Sequence, residues 1–215
     1  MYMTLVEQIL FIGRGTLVTL KYTLGALTIG LILAIILTIL RRQKVLFRVL
    51  VDGLVSLLRG TPLLVQLSFF YFAVPGIFKI RLDIWHAGLI AFGLNSAAYV
   101  TEIFRAGIQS IPKGQFEAAK SLQINTFLLW KDIIIPQVLR SIFPALVNEV
   151  ISLIKETAII SFMGELDLTR RAQIVAASQF SYFMPFCLAG AYYYCLIFFI
   201  ERIANRIEKS WHAKY

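Results

Sequence analysis

Glu102, Arg105, Glu149, Lys155 and Glu156 are ionisable residues set inside stretches that are otherwise almost wholly apolar. A charge at membrane depth costs at least a few kcal/mol, so such residues are candidates for function before anything else. Tyr99, Glu102 and Arg105 recur at steps of three, and Glu149, Ser152 and Glu156 fall at i, i+3 and i+7, so each set shares one helical face. Lys155 lies about 100° round the helix from Glu156. Together these types suit a zwitterion. The planar fork of Arg105 matches a carboxylate, and Glu149 and Glu156 can hold an ammonium or a guanidinium. The surplus of acid on the Glu149–Glu156 face leans slightly towards a basic amino acid. Structural readings stand beside these: Glu102 and Arg105 could simply pair within their helix, and the two glutamates could pair with a neighbouring helix.

Covalent chemistry has no comparable support. The sequence contains no Gly-x-Ser-x-Gly, no His-Glu-x-x-His and no paired aspartates in its apolar runs. It also lacks Gly-x-x-x-x-Gly-Lys-Ser/Thr, so any ATP chemistry must come from another chain. No metal site and no cofactor are expected. Cys187 and Cys195 stand eight residues apart, too far to bridge within one helix, and read as small apolar packers.

The elements that must carry these residues follow from composition. Hydrophobic residues make up 59% of the 215 and charged ones 15%, against roughly a quarter charged in soluble domains. The apolar residues form blocks long enough to cross a bilayer as helices, and none alternates as a barrel strand would. The expectation is an all-α integral membrane domain covering 1–215, with five spans at about 16–40, 60–78, 84–108, 141–164 and 181–201. The early Glu7 and the length of the first apolar run argue against a cleaved signal. Arg59-Gly60-Thr61-Pro62 ends one helix and starts the next.

Basic residues favour cytoplasmic loops. They cluster at Arg41, Arg42, Lys44 and Arg48, again at Lys113, Lys120, Lys131 and Arg140, and after the last span at Arg202, Arg206 and Lys209. An odd number of spans then puts the N-terminus outside and the C-terminus in the cytosol. The net charge of +9 reads as topology and contact with lipid headgroups, not as a nucleic-acid surface.

The segment 109–140 is too long for a slack connector. Ile111-Pro112-Lys113-Gly114 forms a turn. Phe116, Ala119 and Leu122 then mark one short helix, and Asn125-Thr126 caps a second that Pro136 should interrupt. Two short helices lying at the cytoplasmic face would offer a docking surface.

Glu117-Ala118-Ala119-Lys120-Ser121-Leu122 followed by Ile133-Ile134-Ile135-Pro136 resembles the EAA loop of permeases in ATP-binding-cassette importers. Leu57-Leu58-Arg59-Gly60-Thr61-Pro62-Leu63, Asn95-Ser96-Ala97-Ala98-Tyr99, Glu102 to Gly107 and Asn148-Glu149 through Thr157 are similar to the polar-amino-acid branch, of the histidine, glutamine and arginine type. The ordered set covers most of the chain from Leu57 to Arg170. It departs from the family at Gln123, where glycine is usual, and mildly at Ile135, where leucine is usual. Losing that glycine puts the shape of the turn between the coupling helices in question.

The resemblance implies a permease subunit in the plasma membrane of a prokaryote, the inner membrane if it is Gram-negative. Glu117, Ala118, Ala119, Gln123 and Pro136 would couple it to a cytosolic ATP-binding-cassette ATPase. Arg105, Glu149 and Glu156 would contact substrate, supported by Asn95, Tyr99 and Thr157. Five spans are few to enclose a path, so a second permease subunit, identical or paralogous, is expected across a two-fold axis. An extracytoplasmic binding protein would meet the outer loops around Glu165 to Arg171. The alternative is a membrane-anchoring or assembly subunit with no substrate site of its own.

Overall fold

The computed structural model describes residues 3–212, and no strand occurs among them. The helices are α1 (Leu5–Arg41), α2 (Val45–Gly60), α3 (Leu63–Phe78), α4 (Ile84–Gln109), α5 (Lys113–Ser121), α6 (Thr126–Met163), α7 (Leu168–Gln179) and α8 (Phe183–His212). Four of them, α1, α4, α6 and α8, are long and apolar enough to span, and α2 with α3 makes a fifth if that pair, bent by 102°, counts as one.

The first span begins well before residue 16, because Thr4 and Glu7 form a capping box. The Thr4 hydroxyl accepts from the Glu7 N–H at 3.3 Å, and the Glu7 carboxylate accepts from the Thr4 N–H at 2.7 Å. Glu7 therefore starts the helix and is satisfied where it sits. The break after α2 is also covered. Pro62 brings no N–H, and the Gln66 amide donates to the Leu58 carbonyl at 2.7 Å and to the Thr61 hydroxyl at 2.8 Å. At the start of α4, Asp83 accepts from the His86 N–H at 2.9 Å, which holds its carboxyl below the usual carboxylate range.

The expected loop 109–140 is shorter than the sequence suggested. Pro136 does not interrupt a helix. A π-helical turn at Leu129–Ile134 absorbs the N–H that proline lacks, and α6 runs unbroken from Thr126 into the membrane. The fourth span accordingly starts before 141. Ahead of the last span, expected at 181–201, the left-handed Phe180 ends α7, and α8 begins at Phe183 and runs on to His212.

Packing is densest between α1 and α4. Ala26, Gly30 and Ala34 repeat every four residues on α1, all buried; Ala26 clusters with Ala91 and Phe92 of α4, and Gly30 lies against Ser96 and Ala97. In lipid the close approach of small side chains takes over from hydrophobic burial as the source of helix association. Between α4 and α6 the contact is closer still at Gly107, where any Cβ would run into the Ile142 side chain. This α4–α6 pairing positions the candidate residues.

Candidate functional site

Two groups of polar residues emerge along α4. The first is deep. Asn95 of α4 is 4% exposed and its amide donates to the Glu156 carboxylate of α6 at 3.3 Å. Glu149, two turns before Glu156, is 9% exposed, and Thr157 is fully buried, its hydroxyl donating to the Ile154 carbonyl at 2.7 Å. Ser96, beside Asn95, keeps its hydroxyl buried and turned towards the Glu149 carboxylate. Ion pairs between described side chains reach neither Glu149 nor Glu156. Lys155, exposed and next to Glu156 in the chain, is a cation acting on that carboxylate without pairing to it. Two carboxylates thus share one unpaired lysine, and the site is short of positive charge.

The second group lies towards the end of α4 nearer α5. Ten residues of helix put Arg105 about 15 Å along the axis from Asn95. Its guanidinium is taken by Glu102, the Nε donating at 3.0 Å, and by Gln109 at 3.1 Å. Glu102 also accepts from Arg41 of α1 at 2.8 Å and faces Arg59 of α2 at 3.6 Å, while Arg41 pairs with Asp52 at 2.6 Å. The Arg59 guanidinium lies over the Tyr99 ring, 5.2 Å from its centre. A cleft of about 570 Å³ opens here, walled by Arg59, Tyr99, Glu102, Arg105, Ser141 and Ala145 among others.

The six residues expected to contact substrate are therefore split. Glu149, Glu156, Asn95 and Thr157 are brought together in the deep group. Arg105 and Tyr99 line the cleft beyond it, and Arg105 is engaged by Glu102 of its own helix. Sequence reasoning missed the roles of Arg41, Asp52 and Arg59 in this network. Their spacing along the chain carries no sign of convergence on Glu102; only the α1–α4 and α2–α4 packing brings them there.

The coupling residues lie on and just after α5. Glu117 and Ala118 are exposed, whereas Ala119 turns inward and is 2% exposed. Of the two alanines, Ala118 is thus available to a partner and Ala119 belongs to the packing of the loop. Gln123 has φ 54°, the left-handed conformation that glycine adopts freely. Around it the Ile124 N–H donates to the Ala119 carbonyl at 2.9 Å, closing a Schellman-type end. The turn keeps the glycine shape with glutamine in it. Asn125 caps α6 by accepting from the Phe127 N–H at 2.8 Å. Leu122, Gln123, Phe127 and Leu128 are exposed beside Glu117, and Pro136 sits above them on α6, half-buried. Beneath this surface Ile111, Ile134, Val138 and Ile142 bind the loop to α4 and α6 as one apolar cluster.

Residues 26–212 match the family described as "Binding-protein-dependent transport system inner membrane component". A putative glutamine transport system permease protein GlnP of Rickettsia typhi is 53% identical over 204 residues, 94% of either chain. The arginine transport system permease protein ArtQ of Bacillus subtilis is 40% identical over 95% of this chain and 94% of its own. Among solved structures, the crystal structure of an amino acid ABC transporter with histidines superposes with a TM-score of 0.89 at 34% identity, covering 98% of this chain and all of that one.

Proposed function

The chain belongs to the family of binding-protein-dependent transport system inner membrane components, and from its polar core we propose that it carries an amino acid past the Glu149–Glu156 face. It is a multi-pass inner-membrane permease subunit of an ATP-driven amino-acid importer, and it is not an enzyme. Family membership implies an ATPase and a substrate-binding partner; a role as mere anchor is not favoured.

Within that frame the deep group holds the cationic end of the substrate. The observation that carries this reading is the pair of carboxylates with no ion-pair partner among the described residues, Lys155 being exposed beside Glu156 without pairing to it. An α-ammonium, or the side chain of a basic amino acid, supplies the charge that Glu149 and Glu156 lack. Arg105 and Tyr99 lie in the cleft further along the path, where a carboxylate would compete with Glu102 for the guanidinium fork. A second permease subunit, identical or paralogous, completes the path. The N-terminus lies outside, and the face of α5 bearing Glu117 and Ala118 meets the cytosolic ATPase. The basic clusters beside Arg41 and along α5 support that orientation.

The test is uptake by the reconstituted importer. Glu149→Gln and Glu156→Gln should each lower uptake at least about tenfold, because removing one partner of a desolvated charge pair costs roughly 2–5 kcal/mol. Protein level and ATPase binding should hold. Arginine and glutamine are offered in parallel, and a larger loss for arginine assigns the basic class. Wild-type uptake of both by both variants would end the claim.

A further inference from the structure

A basic cavity of about 400 Å³ opens where α1 ends and α2 begins, walled by Arg41, Arg42, Lys44, Arg48 and Arg105 and by no carboxylate. Counter-charge lies behind it: Glu102 and Asp52 engage Arg41, Glu102 also takes Arg105, and Arg48 stands 3.9 Å from Asp52. Two carboxylates against five cations leave a positive surplus. Arg42 is packed over the Trp130 ring at 4.2 Å, and burial draws its guanidinium below its usual value. Lys44 stands at the N-cap of α2, whose first N–H groups have no side-chain cap, so the positive end of the α2 dipole adds to the same surplus.

Beside this charge the wall turns apolar. Val45 lines the cavity, and Val45, Leu46, Val49 and Leu50 are strongly exposed along the first turns of α2. The cations also follow directly on the last residue of a long apolar span, which places them at the level of the lipid headgroups. A phosphate-sized basic cavity and an exposed apolar ledge are therefore continuous with each other.

We propose that this cavity binds the phosphodiester of an anionic glycerophospholipid, with the acyl chains lying along the exposed face of α2. The phosphate oxygens sit among Arg42, Lys44 and Arg48, the cations least occupied by Glu102 and Asp52. A soluble phosphate shares the headgroup chemistry and leaves the ledge unused. The assignment is independent of which amino acid is carried.

Native mass spectrometry of the delipidated permease–ATPase complex tests it. The complex is offered phosphatidylglycerol or phosphatidylcholine with the same acyl chains. The wild type should retain phosphatidylglycerol preferentially. Arg42→Gln, Lys44→Gln and Arg48→Gln should each weaken that preference about fivefold, the usual contribution of one cation near an anionic headgroup. Lys44→Arg, which keeps the charge, should leave it intact, and millimolar inorganic phosphate should not displace the lipid. Equal retention of both lipids overturns the proposal, as does an undiminished preference in the triple glutamine variant. Displacement by inorganic phosphate overturns it in favour of a soluble anion, and release of the ATPase by the triple variant with lipid retention unchanged overturns it in favour of a protein contact.

Discussion

Arg41 and Glu102 join α1 to α4 through a charge-assisted hydrogen bond of 2.8 Å, at the edge of the small-residue seam that holds the two helices together. Each side chain is less than one-fifth exposed. Glu102 serves three guanidiniums at once, so removing it leaves Arg41, Arg59 and Arg105 facing one another. Glu102→Gln is expected to destabilise the protein by about 2 kcal/mol, less than the roughly 3–5 kcal/mol of a fully buried pair. The measurement is the thermal midpoint in detergent. An unchanged midpoint would mean that the network contributes nothing to the fold.

Gln123 carries a conformation that suits another residue. A side chain in the left-handed region costs about 1–2 kcal/mol, partly offset because glycine loses more entropy on folding. Gln123→Gly should stabilise the loop by roughly 0.5–1 kcal/mol, and Gln123→Val should destabilise it. Hydrogen exchange at the Ile124 amide, bonded to the Ala119 carbonyl, reports the change locally. Faster exchange in Gln123→Gly would contradict the strain argument.

Neighbouring alanines on α5 should behave in opposite ways. Ala118 is exposed and Ala119 is buried. Ala118→Arg should leave the permease folded while weakening ATPase co-purification and uptake. Ala119→Arg should reduce the yield of folded protein, since an unpaired charge would enter the packing under α5. Full uptake in Ala118→Arg would remove that residue from the docking surface.

Asp167 gives the protein a pH-dependent element outside its spans. Burial pushes its carboxyl up to about 6, against the Arg170 N–H, which donates to it at 2.7 Å and favours the ionised form. An acid whose folded value lies above its unfolded one favours the folded state when protonated, so stability falls as pH rises from about 4 to about 6. Asp167→Asn keeps the cap on α7 and cannot ionise. Its thermal midpoint should exceed the wild type at pH 8 and approach it only near pH 4, where Asp167 is protonated in the folded state and largely so in the unfolded one. An equal offset at both values would exclude the titration.

How far the sequence reached depends on which forces decide each element. The spans were legible because lipid demands long apolar runs, and the Glu149–Glu156 face because helical periodicity alone sets it. Helix α2 was only half visible: Arg48, Asp52 and Arg59 interrupt its apolar run, and its buried face rests on Val51, Val55 and Leu58. Pro136 misled, since proline normally stops a helix, and a π turn that accommodates one leaves no mark in composition. The inward turn of Ala119 and the capture of Arg105 by Glu102 both depend on which neighbour lies across a gap. Single-chain spacing does not encode that.

The unbroken run of α6 has a mechanical consequence. Phe127, at the exposed loop, and Glu156, in the deep group, belong to one helix, 29 residues or about 44 Å apart. The π turn at Leu129–Ile134 and Pro144 both lie between them inside continuous helix, and the first left-handed residue after Glu156 is Gly164. A push on the loop end thus reaches the carboxylates as a tilt or translation of a single rod. Any bend in that rod belongs at the π turn and at Pro144, and no relay of side-chain rearrangements is needed between the two ends.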